Sequence, residues 1–122
     1  MIYHITSKQA LAEAQAKGEY TASSLQSEGF IHCSTEKQVL AVANAFYRGQ
    51  KGLVLLKLDE NRIKSQVKWE APAAPPADGI SESDLFPHIY GAINLDAIIS
   101  TIDFEPDSPT GLFNNQSLIS NL

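Results

Sequence analysis

GLVLLKL, residues 52–58, is a nearly continuous apolar run rich in branched side chains. A run this short and this apolar reads as a strand covered on both faces, and so as the centre of a sheet with packing above and below it. Its partners have to come from either side in the sequence. Upstream, IYHIT at 2–6 places Ile2, His4 and Thr6 on one face and Tyr3 and Ile5 on the other. Downstream, VKWE at 67–70, LFPHIYGAINL at 85–95 and the stretch 98–104 all suit extended backbone, with Pro87 marking a strand start or an edge. GFIHCST at 29–35 repeats the alternation, with Phe30, His32 and Ser34 on one side and Ile31 and Cys33 on the other.

Two of these strands run straight into helices. KQALAEAQAK at 8–17 is rich in good helix formers, with Thr6 or Ser7 to cap its start and Gly18 to stop it. After GFIHCS, Thr35 and Gln38 have capping-box spacing, Val39, Val42, Ala43 and Phe46 form an apolar stripe, and Gly49 supplies the stop. Between 70 and 84, EAPAAPPADGISESD has no periodicity and reads as a long surface loop, of the kind that covers a site or stays disordered. From Pro106 the chain turns polar and rich in Gly, Pro and Asn. One globular domain over 1–105 with a mobile tail over 106–122 is the expectation.

Composition narrows the function classes. Hydrophobic content of 43% with 19% charged residues is that of a folded globular chain. No apolar run approaches the roughly 18 to 20 residues of a membrane span, and the N-terminus MIYHITSK lacks a secretory signal, so a cytoplasmic protein away from membranes is expected. A single cysteine, Cys33, excludes an internal disulfide and a cysteine-rich metal site. The net charge is -5, yet all nine Lys and Arg lie within residues 1–68, six of them from Arg48 to Lys68. That balance disfavours extended nucleic acid while leaving room for a small phosphorylated ligand. Nothing in the sequence signals an oligomeric state.

The three histidines carry the chemistry. His4, His32 and His88 each have a hydroxyl side chain two positions on, namely Thr6, Ser34 and Tyr90, and side chains two apart on a strand point the same way. A histidine beside a hydroxyl can hold a polyhydroxyl or anionic ligand and move a proton near neutral pH. His4, His32 and His88 are therefore the candidate catalytic residues, and Thr6, Ser34, Thr35, Tyr90 and Glu70 the candidate ligand contacts. The helix starting at Glu36 offers free N–H groups to a phosphate. Glu70 follows Trp69, and an aromatic neighbour can raise a carboxyl pKa for acid–base work. No His-x-His or His-Glu-x-x-His spacing supports zinc, and no metal site is expected. Cys33 as a nucleophile is weak, because His32 faces the other side of the strand. The alternative is plain: Ser34 and Thr35 only cap a helix, the histidines are structural, and the chain is a non-catalytic protein-interaction module.

YHIT near the start, GFIHCST, VANAFYRGQKGLVLL, VKWE and FPHIYGAINLDAI together resemble the bacterial domain-of-unknown-function family 952, over about residues 2–100. The resemblance implies an α+β fold of the ADP-ribosyltransferase-like group, a split, strongly bent β structure with two or three small helices and a cleft that holds NAD. Within that group YHIT is similar to the first-strand element whose histidine contacts the adenosine-side ribose, which implies that role for His4 with Thr6 beside it. Ile5 stands where that element carries a glycine, which allows the nicotinamide amide to approach the backbone. The group's late-strand catalytic glutamate has no clear match, with Glu70 and Glu105 as its candidates. The implied function is binding of an NAD-like or other phosphorylated nucleotide in a His-lined cleft, with transfer or hydrolysis as the reaction.

Overall fold

The computed structural model describes residues 1–72, 80–81 and 83–118. In chain order these form β1 (Ile2–Ser7), α1 (Lys8–Lys17), β2 (Glu19–Tyr20), α2 (Ser23–Ser27), β3 (Ile31–His32), α3 (Glu36–Phe46), β4 (Leu53–Leu58), β5 (Gln66–Glu70), β6 (Phe86–Tyr90), β7 (Ile93–Asn94) and β8 (Ile98–Phe104), with 3-10 turns at 60–62, 95–97 and 115–118. The architecture is α+β with antiparallel sheets and three α-helices.

β4 is the middle strand of one sheet, antiparallel to β1 on one side and β8 on the other. Its alternate side chains enter two separate cores. Val54, Leu56 and Leu58 join Ile2, Tyr20, Ile31, Cys33 and Ile89 on one face, while Leu53 and Leu55 join Tyr3, Ile5, Val39, Ala43 and Phe104 on the other. A strand packed on both sides cannot alternate apolar with polar, which is why the run is continuous. β1 divides its residues between the same two cores, Ile2 to the first and Tyr3 and Ile5 to the second, as its alternation predicts.

A second sheet has the order β3-β6-β5, and β2 pairs with β7. The strand expected through 29–34 is shorter than its alternation suggests, because the backbone changes partner. Cys33 N–H still donates to Pro87 O on β6 at 3.1 Å, but at Ser34 the chain crosses to β1, where Tyr3 and Ser34 exchange both backbone hydrogen bonds at 2.8 Å. That bridge joins the two three-stranded sheets. Pro87 is the second residue of β6, the middle strand of its sheet, and its missing donor faces β3 just past the point where that strand ends.

The helices follow their caps. Ser7 Oγ accepts from Ala10 N–H at 3.0 Å, and Gly18, at φ 98°, takes the left-handed conformation that stops α1. Thr35 and Gln38 form the capping box of α3, each side chain accepting from the other's backbone N–H. The helix ends with Tyr47 as C-cap, two residues before the expected stop at Gly49.

The packed body does not end at residue 105. Phe113 is buried and stacks on Phe104 with ring centroids 4.5 Å apart, while Asn44 on α3 pairs with its backbone on both sides, at 2.7 and 3.0 Å. Ser117 Oγ–H donates to Glu105 O at 2.8 Å. Residues 106–118, read from composition as a tail, thus close the second core; 119–122 lie outside the described residues. So do 73–79 and Glu82, the middle of the expected loop. Among the described residues no helix is long and apolar enough to cross a membrane.

Candidate functional site

His4 belongs to the first core rather than to a cleft. On β1 it pairs with Leu56 of β4, its side chain shares that core's face, and it is 6% exposed. Nδ1–H donates to the His32 carbonyl at 2.6 Å, and Nε2 lies 2.7 Å from the Tyr20 hydroxyl, which in turn lies 2.9 Å from Thr6 Oγ1. Burial pushes the His4 pKa down to about 4, with the nearby His32 charge adding to the effect and the bond to the His32 carbonyl opposing it. The ring is therefore neutral at pH 7. With its proton on Nδ1, Nε2 has to accept, so the Tyr20 proton serves His4 and the Thr6 proton serves Tyr20. Burial likewise pushes the Tyr20 hydroxyl up to about 12. His4 and Thr6 are thus spent on a closed network beside the junction of the two sheets.

His32 and His88 come together. They are direct partners across β3 and β6, with ring centroids 5.6 Å apart. They form one wall of a cavity of about 320 Å³, a size suited to a small organic ligand. Glu28, Ser34 and Tyr47 add polar groups; Cys33, Val42, Phe46, Pro72, Ile80 and Phe86 make the apolar part. His32 stands at the mouth, its side chain 45% exposed, with Nε2–H donating to Glu28 at 2.9 Å. His88 is 3% exposed, its ring stacked on Phe30 with centroids 4.1 Å apart.

Glu70 orients His88. The His88 Nδ1–H donates to Glu70 Oε1 at 2.9 Å, and the Tyr90 hydroxyl donates to the same oxygen at 2.5 Å. The bond from Tyr90, then the bond from His88, holds the Glu70 carboxyl below the usual carboxylate range. This overturns the expectation of a raised pKa. The neighbouring Trp69 does not cover the carboxyl; its Nε1–H donates to Glu60 at 3.0 Å instead. The Tyr90 hydroxyl is raised in turn, chiefly by its bond to Glu70. Lys68 Nζ lies 4.7 Å above the Tyr90 ring and adds positive charge to the group.

Of the polar side chains in GFIHCST, only some are open to a ligand. Thr35 Oγ1 accepts from Gln38 N–H as the helix cap. Cys33 is buried, and burial pushes its thiol well above the usual range, which removes it as a nucleophile. Ser34 Oγ and His88 Nε2 have no hydrogen-bond partner among the described residues. Every fully enclosed side-chain nitrogen or oxygen among those residues does have one, so both of these atoms open onto the cavity. The phosphate expectation at the start of α3 meets three obstacles. The capping box already uses two N–H groups there, Glu36 adds a negative charge, and the cavity lies instead against Val42 and Phe46 on the second half of the helix.

The sequence reading missed Glu28, Phe30, Val42, Phe46, Ile80 and Phe86. Phe46 was visible only as the last member of the helix's apolar stripe; it is 50% exposed at the cavity's edge. Among the described residues no three His, Cys, Asp or Glu side chains gather as a metal ion requires.

No curated protein matches the chain. It is similar in structure to protein CC0527 from Caulobacter crescentus: the crystal structure is 26% identical, covers 97% of this chain and 98% of its own, and superposes with a TM-score of 0.80. The solution structure of the same protein is 28% identical over 97% and 95%, with a TM-score of 0.75. The model of the family described as "Protein of unknown function (DUF952)" matches residues 5–101, and the chain belongs to that family.

Proposed function

We propose that the cavity binds a small aromatic ligand of the nucleoside or nucleotide class, with His88 as the proton carrier facing it. The observation that carries this reading is the pairing of two imidazoles, one fixed by a carboxylate, with an apolar wall around about 320 Å³. The apolar wall of Val42, Phe46, Ile80 and Phe86 suits a flat ring, and the polar wall suits the hydroxyls of a sugar. The split between the two sheets supports the ADP-ribosyltransferase-like grouping that the sequence motifs imply.

NAD held in the manner of that group fits these residues poorly. His4 and Thr6, the implied ribose contacts, are engaged with Tyr20, and the lining carries a glutamate and, among the described residues, no Lys or Arg for a pyrophosphate. A nucleoside or mononucleotide is the better match. Titrating adenosine, AMP, ADP-ribose and NAD separately into the 15N-labelled protein tests this. Shifts at His32, Ser34 and His88 that are absent in Phe46→Asp are expected; no perturbation there by any of the four ends the reading.

A further inference from the structure

Ser34 and His88 both line the cavity, and Ser34 Oγ and His88 Nε2 have no hydrogen-bond partner among the described residues. The residues are 5% and 3% exposed, yet neither atom is fully enclosed, so both are left free toward the cavity. Every other polar side chain in GFIHCST is engaged or, in the case of Cys33, inert. The backbone brings them to one wall: His32 is the direct partner of His88, Cys33 N–H still donates to Pro87 O, and Ser34 follows where the chain turns to β1. The two side chains are not hydrogen-bonded to each other in the free protein; a nucleophile and its general base often close to hydrogen-bond distance only around the substrate.

We propose that Ser34 is a nucleophile, His88 its general base and Glu70 the positioning residue, so that the site performs acyl transfer to water. The proposal deepens the reading of this cavity as a ligand site and rests on it for the location alone. Nδ1–H of His88 is committed to Glu70 at 2.9 Å, which leaves Nε2 to take a proton. Ser34 Oγ attacks the carbonyl carbon of an ester, and its proton passes to His88 Nε2. The C–O bond of the ester breaks, and the leaving alcohol takes that proton. Water then attacks the acyl-Ser34 carbonyl, gives a proton to His88 Nε2, and the acid is released as Ser34 Oγ recovers the proton. The apolar wall fits an ester whose acyl or alcohol part is a ring or short chain. Tyr90, which donates to Glu70 at 2.5 Å, holds the carboxylate in place.

The test is covalent labelling of the full chain with an alkyl fluorophosphonate, in which a Ser34 Oγ–P bond forms and the P–F bond breaks. The adduct is located by peptide mass spectrometry, and release of p-nitrophenolate from p-nitrophenyl acetate is followed beside it. The adduct is expected on Ser34, with His88→Gln slowing its formation by about 100-fold or more. Glu70→Gln, on a half-exposed side chain whose loss leaves the fold intact by circular dichroism, is expected to slow it by a smaller factor and to shift the pH profile of labelling. Absence of an adduct on Ser34 in the wild-type chain overturns the proposal, as does an unchanged rate in a folded Glu70→Gln. Nucleoside binding without Ser34 labelling defeats this inference alone. Labelling that no nucleoside protects leaves it standing and defeats the nucleoside reading.

Discussion

His4 Nδ1–H donates to the carbonyl of His32 at 2.6 Å, so these two histidines meet through a ring and a backbone and not ring to ring. The contact crosses from β1 to β3 beside the Tyr3–Ser34 bridge, and it supplies the His32 carbonyl with a donor at the edge where the two sheets part. His4 is thereby held inside the first core by the His32 carbonyl and the Tyr20 hydroxyl.

Replacing it follows from that role. His4→Ala removes one partner from the His32 carbonyl and one from the Tyr20 hydroxyl inside the first core, and should destabilise the fold by about 2–4 kcal/mol. The urea midpoint reads this directly. A loss under about 0.5 kcal/mol, the level of an ordinary surface change, would show that His4 is not part of the core network.

The same residue sets an acid limit. Its folded pKa is lowered to about 4 from the ordinary 6.5, so below 6.5 the unfolded chain takes up a proton that the folded one refuses. The stability from keeping His4 neutral is complete above pH 6.5 and is lost as pH falls toward 4, by about 3 kcal/mol at most. Urea unfolding at pH 7.5 and pH 4.5 should show a steeper fall for the wild type than for His4→Gln. Glu70 and Asp96, whose pKa values are also lowered, contribute to both chains and cancel in the comparison. Equal falls would refute the assignment.

The segment beyond residue 105 makes a third prediction. Phe113 is 3% exposed between Phe104 and the last turn of packed chain, so Phe113→Ala should cost about 3–5 kcal/mol, as a core phenylalanine does. A tail that merely lay on the surface would lose almost nothing. The measurement is again the urea midpoint, with Leu112→Ala, a neighbour 37% exposed, as the comparison expected to change little.

What the sequence made legible follows from period and cap. Alternation in IYHIT and the unbroken run from Leu53 to Leu58 gave faces and a centre, and Thr35 with Gln38 gave a helix start. Period alone does not say which strand pairs with which. The crossing of the chain at Ser34 from β6 to β1 was therefore invisible, and with it the separation of His4 from His32 and His88. Tyr20, the residue that ties up His4 and Thr6, sits in a two-residue strand with no local pattern. The stripe Val39, Val42, Ala43 and Phe46 was read as one core face, yet Val39 and Ala43 are buried in the second core, Val42 packs against that core and also lines the cavity, and Phe46 lines the cavity. A helical period fixes the stripe's existence but not that two neighbours share it. The tail was misread because composition between 106 and 118 is polar, whereas a single Phe113 carries the packing.

Tyr90 provides the last prediction, through Glu70. Its hydroxyl is the largest cause of the lowered Glu70 pKa, ahead of the bond from His88. Tyr90→Phe leaves the ring, its place beside Phe30 and the strand pairing, and removes only that donor. The Glu70 carboxyl should then titrate at higher pH, back toward the ordinary range, because the charged form has lost its better hydrogen bond. With the carboxylate held by His88 alone, the Nδ1–H of that ring should exchange faster with water. Carbon-detected titration of the Glu70 carboxyl and the nitrogen shifts of His88 read both effects on one sample. A Glu70 midpoint that stays where it was would mean that His88 alone holds the carboxylate, and would remove Tyr90 from the group that orients the imidazole.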